Sequence, residues 1–237
     1  MKEPLRIERV GFDSGAILYD AAVIETPQRS MFNPKDPMLQ AQPVAEGGRN
    51  AAWYVKVCGR DAVLRQYRRG GFVSRISKTR YIWAGEHQVR SFTEFDILEG
   101  LYQAGLPVPR PFAAAYWRLG PTYRAGIITE RLHNVRPLAT SLHVADCEQV
   151  ARSIYAMHEH GVWHSDLNAY NVLLDEDGRA WLIDFDKAHR VELSLERRSS
   201  NLLRLRRSLA KVAGTEGIAW WDGLNRSYAK LIRTLAM

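Results

Sequence analysis

The stretch HSDLNAYNVLLD, His164–Asp175, followed closely by WLIDFD, Trp181–Asp186, is the most informative part of this chain. Asp166 and Asn171 are five positions apart (171 − 166), and Asp184 follows Asp166 by 18 positions (184 − 166). Apolar runs flank both motifs, and a carboxylate at the end of a buried strand is costly without a cation. Phosphoryl transfer requires a carboxylate that accepts the hydroxyl proton and oxygens that hold magnesium on the phosphates.

The order H-x-D-x-x-x-x-N followed by I-D-F-x is typical of protein-kinase-like phosphotransferases. We therefore predict that Asp166 is the catalytic base, or orients the hydroxyl, and that Asn171 and Asp184 are magnesium ligands. His164 is expected to orient the loop rather than to take part in the chemistry. Any one of these residues alone could be an ordinary turn or capping residue, but their identities, order and spacing agree.

Four departures weaken the protein-kinase interpretation and favour a small-molecule or glycan kinase. Ser165 occupies the position where many regulated protein kinases carry an arginine that grips a phosphorylated loop. Asn168 stands where Ser/Thr kinases often place lysine, and Asp186 replaces the glycine of D-F-G. Nothing after Asp186 resembles A-P-E or a long activation segment.

Composition limits the class of protein. The 237 residues carry 33 Lys and Arg against 26 Asp and Glu, for a formal charge of +7, which attracts polyanionic ligands. Two cysteines are too few for a disulfide scaffold and suit a reducing cytoplasm. Without a charged-then-apolar leader or an 18-residue apolar run, we expect no signal peptide and no spanning helix, so membrane contact would be peripheral.

The N-terminal half should bind the nucleotide. Gly47 and Gly48, in EGGRNAAWYV, form a candidate glycine-rich turn, although an ordinary turn explains them as well. Arg65 ends AVLR, where V-A-I-K would place the phosphate-contacting lysine. Lys78 is an alternative cation, and Glu94, within the helix RSFTEF, is the candidate partner carboxylate or simply a solvated residue.

Apolar periodicity and turn residues predict an α+β, two-lobed protein-kinase-like fold, with a β-rich N-lobe and a helical C-lobe with a short activation segment. We place the N-lobe at about 1–129, the hinge at 130–132 and the C-lobe at 133–237. The hinge residues Glu130 and Leu132 are candidate nucleotide contacts. The sequence predicts a hairpin of Ala52–Val57 and Ala62–Tyr67 and a helix over Arg90–Gly105, with Phe95, Leu98, Leu101 and Tyr102 on one face. A strand opens Tyr123–Leu132, and Asp146 is the predicted N-cap of a helix through His160 that Gly161 stops. Closing helices are predicted at about Ser200–Ala213 and Trp220–Ala236, with the Trp220–Trp221 pair as core or, alternatively, interfacial.

Basic residues are concentrated in two places. The segment RRGGFVSRISKTRY, Arg68–Tyr81, is by default a solvated loop, but beside a kinase cleft its guanidinium groups could hold carboxylates or phosphates. In the helix Arg197–Val212, Arg204, Arg207 and Lys211 lie away from the apolar face. Such helices usually cover a core, yet a basic helix can also lie on anionic lipid.

Several blocks of this chain resemble, in order, those of the bacterial 3-deoxy-D-manno-octulosonic acid (Kdo) kinase family, in the lipopolysaccharide-kinase branch of the kinase-like fold. The resemblance extends from about Gly48 to Lys211. The blocks outside the catalytic loop are the specific ones: LRQYRRGG, SKTRYIWAGE, RSFTEF, GLPVPRP, YRAGIITERL and NLLRLRRSLAK.

The resemblance implies ATP-dependent phosphorylation of the 4-hydroxyl of Kdo on a lipid A precursor, with Asp166 as the catalytic residue. It implies a peripheral protein at the cytoplasmic face of the bacterial inner membrane, with Kdo-lipid A precursor and the anionic membrane surface as partners. Neither nucleic acid nor a protein partner is expected. The arginine at position 65 leaves the identity of the phosphate-contacting cation open, with Lys78 as the alternative.

Three other functions remain open at this point. A soluble kinase of aminoglycoside-phosphotransferase type would need no membrane. A pseudokinase or binding scaffold would use the basic surfaces, although the intact Asp166, Asn171 and Asp184 argue against it. A short atypical protein kinase is disfavoured by Ser165 and Asn168.

Overall fold

The computed structural model of the protein describes residues 3–44, 52–67 and 81–235. Two of the predicted nucleotide-binding features, the pair Gly47–Gly48 and the alternative cation Lys78, lie outside the described residues. Within the part of the chain that the structure describes, no helix combines the length and apolar character needed to cross a membrane.

The chain divides into two compact units. The first falls within Met1–Glu99 and Arg110–Arg131, and the second within Gly100–Pro109 and Leu132–Met237. Antiparallel sheet dominates the first unit and helix the second, which confirms the predicted mixture of α and β structure. The segment of residues 100–109 belongs to the second unit, where the amide of Leu182 donates a hydrogen bond to the carbonyl of Pro107 at 2.9 Å.

The first unit is built around one antiparallel sheet. Its described strands are β1 (Ile7–Phe12), β2 (Gly15–Asp20), β3 (Gln42–Pro43), β4 (Ala52–Val57), β5 (Arg60–Gln66), β6 (Tyr81–Ile82), β7 (Pro111–Leu119) and β8 (Thr122–Glu130). They follow the order β1-β2-β7-β8-β5-β4-β3, with β6 paired to β8. The segment after β2 packs Ile24, Phe32 and Leu39 into the core, and it contains short 3₁₀ turns at Arg29–Phe32 and Pro37–Leu39.

The predicted hairpin is present as β4 and β5. Its two-residue turn consists of Cys58 and Gly59, with φ of 48° and 77°. Positive φ at both central residues gives the turn the twist that suits a tight hairpin. The strand β5 is flanked by β4 and β8, and this position places Arg65 opposite Ala52 and Ile127.

The predicted helix at Arg90 is also present, as α1 (Arg90–Gln103). A 3₁₀ turn at Glu86–Gln88 precedes it, and Gly105 follows it with φ of 83°, a conformation that favours glycine. Its buried face contains the four residues predicted from spacing, which are Phe95, Leu98, Leu101 and Tyr102. Glu94 is buried on the same helix, so its interpretation as a solvated helix residue is wrong.

Three of the longer strands of this sheet, β1, β2 and β7, were not predicted, and neither were the two-residue strands β3 and β6. Strands β1 and β2 lie in the N-terminal 40 residues, and β7 contains the buried alanines Ala113–Ala115, whose small side chains give little strand signal. Gly15 at the start of β2 shows why the pairing succeeds. A Cβ there would lie 2.0 Å from the carbonyl oxygen of Tyr116, so only glycine permits this close approach of the two strands.

The second unit combines helices with short strand pairs. Its elements are β9 (Arg136–Pro137), α2 (Leu138–Ser141), a 3₁₀ turn at Leu142–Val144, α3 (Cys147–Glu159), β10 (Val162–Trp163), β11 (Val172–Leu174), β12 (Ala180–Leu182), β13 (His189–Arg190) and α4 (Leu195–Leu235). The predicted N-cap is confirmed, since the carboxylate of Asp146 accepts a hydrogen bond from the amide of Glu148 at 2.8 Å. Gly161, with φ of 69°, ends this part of the chain as expected.

The closing helix α4 is broken at Gly214, whose φ of 55° and ψ of −129° are not helical. The two predicted closing helices are therefore confirmed, although the first begins at Leu195 and the second follows directly after the break. The two helical segments approach each other closely beside the break. A Cβ added at Gly217 would lie 2.4 Å from the carbonyl oxygen of Leu209, so this approach requires glycine. The indole of Trp221, predicted as core, is buried and donates to the carbonyl of Leu202 at 2.9 Å.

Candidate active site

Two short strand pairs in the second unit position the catalytic motifs. Strand β10 pairs with β13, and β11 pairs with β12. The loop His164–Asn171 joins β10 to β11, while Asp184 lies in the link from β12 to β13. A backbone hydrogen bond of 3.1 Å, from the amide of Ile183 to the carbonyl of Asn171, holds the two motifs side by side.

His164 is the buried centre of this loop. Its Nδ1 accepts a hydrogen bond from the amide of Asp166 at 3.2 Å, so its Nε2 carries the proton and donates to the carbonyl of Ile183 at 3.0 Å. Burial lowers the pKa of His164, and the ring therefore stays neutral near pH 7. Phe185 packs against it with ring centres 4.9 Å apart. These contacts support the predicted orienting role.

Asp166 presents its carboxylate to solvent from a fixed backbone. Its carbonyl accepts hydrogen bonds from the side-chain amides of Asn168 and Asn171, each at 2.9 Å. Its side chain is 47% exposed, and one carboxylate oxygen lies 3.6 Å from the guanidinium of Arg204. The neutral side chains of Asn168 and Asn171 thus stabilise the conformation of the loop, and the Asp166 carboxylate stays accessible to a hydroxyl.

Asn171 and Asp184 offer the oxygens expected of magnesium ligands. The amide nitrogen of Asn171 is occupied by Asp166, which assigns its other side-chain atom as a carbonyl oxygen available to a cation. Asp184 has φ of 62°, a left-handed conformation uncommon for a side-chain-bearing residue and often found at functional sites. An amide oxygen and a carboxylate are the hard ligands that Mg²⁺ prefers, so the residues fit the ion.

Within residues 3–44, 52–67 and 81–235, no group of three or more His, Cys, Asp or Glu side chains is placed to hold a metal ion. A magnesium ion held by Asn171 and Asp184 would complete its coordination with phosphate oxygens and water. That division of ligands is usual where magnesium arrives with a nucleotide.

The first unit contains the predicted cation–carboxylate pair. The guanidinium of Arg65, on β5, contacts both carboxylate oxygens of Glu94, on α1. The hydroxyl of Tyr67 donates to the same carboxylate, and the Arg65 guanidinium lies 5.1 Å from the Tyr67 ring centre. The carboxylate is buried while the Arg65 side chain is 23% exposed. Arg65 and Glu94 are thus partners, and their contact with a nucleotide stays a prediction.

The other two predicted nucleotide contacts, Glu130 and Leu132, lie at the end of β8 and just after it. Glu130 is the last residue of β8, and its carboxylate accepts a hydrogen bond from the amide of Arg110 at 3.3 Å. Leu132 is half-buried and belongs to the second unit. Their nucleotide contacts and the hinge at 130–132 also stay predictions.

Comparison with known proteins identifies the family. A model of the family described as "Lipopolysaccharide kinase (Kdo/WaaP) family" matches residues 37–228. The chain belongs to this family. The resemblance predicted from the sequence blocks is therefore confirmed, and the chain is a phosphotransferase that acts on an alcohol group.

Similar proteins cover nearly the whole chain. A Xanthomonas campestris pv. campestris (strain B100) protein named 3-deoxy-D-manno-octulosonic acid kinase is 44% identical over 235 residues, covering 98% of this chain and 93% of its own length. A protein of the same name from Xylella fastidiosa (strain M12) is 42% identical over 227 residues, covering 94% of this chain and 90% of its own.

The structure of this family member also reveals supporting residues that sequence reasoning missed. Asn201, buried on α4, accepts a hydrogen bond from the amide of His164 at 3.2 Å and donates to its carbonyl at 2.6 Å. His158 lies 3.1 Å from the same Asn201 oxygen and 2.6 Å from the hydroxyl of Tyr228. A signal existed: Asn201 precedes Leu205 by four positions, so a polar residue stands on the apolar face of the helix.

Proposed function

We propose that this protein is an ATP-dependent kinase that phosphorylates the 4-hydroxyl of Kdo on a lipid A precursor during lipopolysaccharide synthesis. The relatives named as Kdo kinases, similar along almost their full length, support the sugar acceptor. We further propose that the two compact units correspond to the two lobes of a protein-kinase-like fold.

The observation that carries the reaction type is the exposed Asp166 carboxylate on a loop whose backbone is fixed by His164, Asn168 and Asn171. In the proposed step the sugar hydroxyl attacks the γ-phosphorus, the bond to the β-phosphate oxygen breaks, and ADP leaves. Asp166 orients the hydroxyl and receives its proton. Magnesium, when bound with the nucleotide, neutralises charge on the phosphates.

Two side chains that offer oxygen ligands and one cationic side chain support the binding of a magnesium nucleotide. Asn171 and Asp184 would hold the magnesium ion, and Arg65, aligned by Glu94 and Tyr67, would contact the phosphates. Arg65 is partly exposed while Glu94 is buried, which leaves part of the arginine side chain accessible to a ligand.

The acceptor and its location agree with the charge of the protein. A Kdo-bearing lipid A precursor carries a sugar carboxylate and phosphates, and a chain with net charge +7 attracts such anions. We propose peripheral binding at the cytoplasmic face of the inner membrane. The exposed Arg207 and Lys211 on α4 support contact with anionic lipid.

Parallel assays with labelled ATP test this proposal. The purified full chain is incubated with Kdo–lipid A precursor, with an aminoglycoside and with a generic protein, and the sugar product is mapped by NMR for the phosphorylated carbon. We expect transfer to the Kdo 4-hydroxyl alone. Transfer to the aminoglycoside instead would replace this function by that of a soluble metabolite kinase, and transfer to a different Kdo hydroxyl would correct the position.

A further inference from the structure

An arginine from α4 contacts the predicted catalytic base. The guanidinium of Arg204 lies 3.6 Å from a carboxylate oxygen of Asp166, and the two side chains are 43% and 47% exposed. The sequence had placed Arg204 with Arg207 and Lys211 as one basic surface. In the structure Arg204 differs from these two because it reaches the reacting carboxylate.

The position of Arg204 is fixed by its neighbours on the helix. Asn201 binds both backbone groups of His164, and the hydroxyl of Ser208 accepts a hydrogen bond from the amide of Ala169 at 3.1 Å. Arg204 lies between these two anchors, about one helical turn from each. The loop and the helix are therefore joined on both sides of the arginine, which places the backbone of Arg204 next to the loop that carries Asp166.

The stabilisation expected from a surface ion pair is too small to account for the placement of Arg204 beside Asp166. Exposed pairs of this kind contribute about 0–1 kcal/mol to stability. The guanidinium of Arg204 gains a binding role when a ligand brings a second anion close to the Asp166 carboxylate.

The acceptor of the proposed reaction supplies such an anion. Kdo carries a carboxylate on the ring that also bears the hydroxyl to be phosphorylated, so an acid group comes close to Asp166 whenever the hydroxyl does. The loop His164–Asn171 contains no lysine or arginine of its own, and Asn168 stands at the position where Ser/Thr kinases often carry lysine. A partly exposed guanidinium is well suited to a carboxylate, which it can bind through two parallel hydrogen bonds.

We propose that Arg204 is a specificity-determining residue that binds the carboxylate of the acidic sugar and aligns its hydroxyl with Asp166. This inference rests on the proposed function. It predicts that the enzyme distinguishes acidic from neutral sugar acceptors through Arg204, independently of any lipid contact.

A cycle that alters the arginine and the acceptor charge tests the proposal. Wild type, Arg204→Ala and Arg204→Lys are assayed with a water-soluble, deacylated Kdo acceptor and with its carboxamide counterpart. Arg226→Ala, which removes an exposed arginine from the second segment of the same helix, is the matched control. Thermal unfolding of each variant verifies that the fold is retained.

We expect Arg204→Ala to raise the KM for the carboxylate acceptor about 10- to 100-fold, as is usual for a charge-assisted hydrogen bond, with partial recovery in Arg204→Lys. The KM for ATP should not change. With the carboxamide acceptor, wild type and Arg204→Ala should differ by less than about twofold, because the charge that Arg204 recognises is gone.

Two results would overturn the assignment. Equal losses with both acceptors, mainly in kcat, would mean that Arg204 acts on the transferring phosphoryl group. A KM in Arg204→Ala no different from that of Arg226→Ala would mean that it binds no acceptor group. If wild type itself transfers no phosphate to any Kdo acceptor, the proposed function fails, and the inference that rests on it fails with it.

Discussion

The two units use charge in opposite ways. In the first unit the carboxylate of Glu94 is buried and accepts hydrogen bonds from the Arg65 guanidinium and the Tyr67 hydroxyl. Its charge is therefore balanced inside the protein. In the second unit Asp166 keeps a half-exposed carboxylate, and hydrogen bonds with the neutral side chains of His164, Asn168 and Asn171 fix its backbone.

This contrast separates stability from chemistry. A buried ion pair is costly to break, because removal of one partner leaves an unpaired charge in a medium that solvates it poorly. A half-exposed carboxylate on a loop whose backbone is fixed by other contacts can be altered with little effect on folding. The following predictions test that difference.

Asp166→Asn should lower kcat by about 10²- to 10⁴-fold, the usual contribution of a positioned acid or base. The melting temperature and ATP affinity should stay close to wild type, because the backbone contacts of the loop remain. Steady-state kinetics, calorimetry and ATP titration measure the three quantities. Asp177→Asn, in an exposed turn, is the control. Turnover within about tenfold of wild type would remove Asp166 from the catalytic role.

Asp184→Ala should abolish measurable transfer, and added magnesium should restore little of it, because the carboxylate that clamps the ion is lost. Activity is measured across a magnesium titration, with Asp177→Ala as control. A variant with wild-type dependence on magnesium would show that another residue holds the ion.

Arg65→Met should destabilise the protein by about 3 kcal/mol, since it leaves Glu94 buried and uncompensated. Arg65→Met combined with Glu94→Leu should cost less than the sum of the single changes. Both single variants should raise the KM for ATP, and Arg65→Ala more than Lys78→Ala. Urea unfolding and ATP titrations give these values, with Arg60→Met at the exposed start of β5 as control. Additive losses would contradict the pairing, and a larger KM effect in Lys78→Ala would transfer the phosphate contact to Lys78.

Acid should weaken the second unit through His158. Burial lowers the pKa of this ring from 6.5 to about 4, so as pH falls below 6.5 the unfolded chain takes up a proton that the folded chain refuses. Its contribution to stability is therefore complete above pH 6.5 and declines by about 1.4 kcal/mol per pH unit towards pH 4. Burial shifts His164 in the same direction.

Urea unfolding at a series of pH values between 7 and 4 measures this slope. His158→Gln should reduce the slope and leave the part due to His164. His143→Gln, at an exposed position, should keep the wild-type slope. An unchanged slope in His158→Gln would mean that His158 is not a source of the acid sensitivity.

The smallest expected effect concerns the proposed membrane contact. Each basic residue near an anionic bilayer contributes about 1 kcal/mol, so neutralising Arg207 and Lys211 together should weaken, not abolish, sedimentation with anionic vesicles. Binding should decrease at high salt, since the screening length falls to about 3 Å at 1 M. Arg152→Ala, exposed on α3, is the control. Binding insensitive to both salt and the double change would contradict an electrostatic contact through this helix.

The sequence alone was sufficient for features determined by local chemistry. Turn residues predicted the β4–β5 hairpin, and periodicity predicted the buried face of α1. Spacing nominated Asp166, Asn171 and Asp184 as site residues, and their roles stay predictions. The strands β1, β2 and β7 escaped because their pairing depends on partners far along the chain, and because alanine and glycine give weak strand signals. The assignment of residues 100–109 to the second unit likewise depends on a distant contact with Leu182.

The sequence thus determined the family and the candidate reactive groups, because these depend on residue identity and on short separations along the chain. Tertiary structure decided which groups meet. It buries Glu94 against Arg65 and fixes His164 through Asn201. It also places Arg204, which the sequence grouped with Arg207 and Lys211, beside Asp166. Contacts between residues 29 to 38 positions apart along the chain depend on how whole elements pack, and no local pattern specifies that packing.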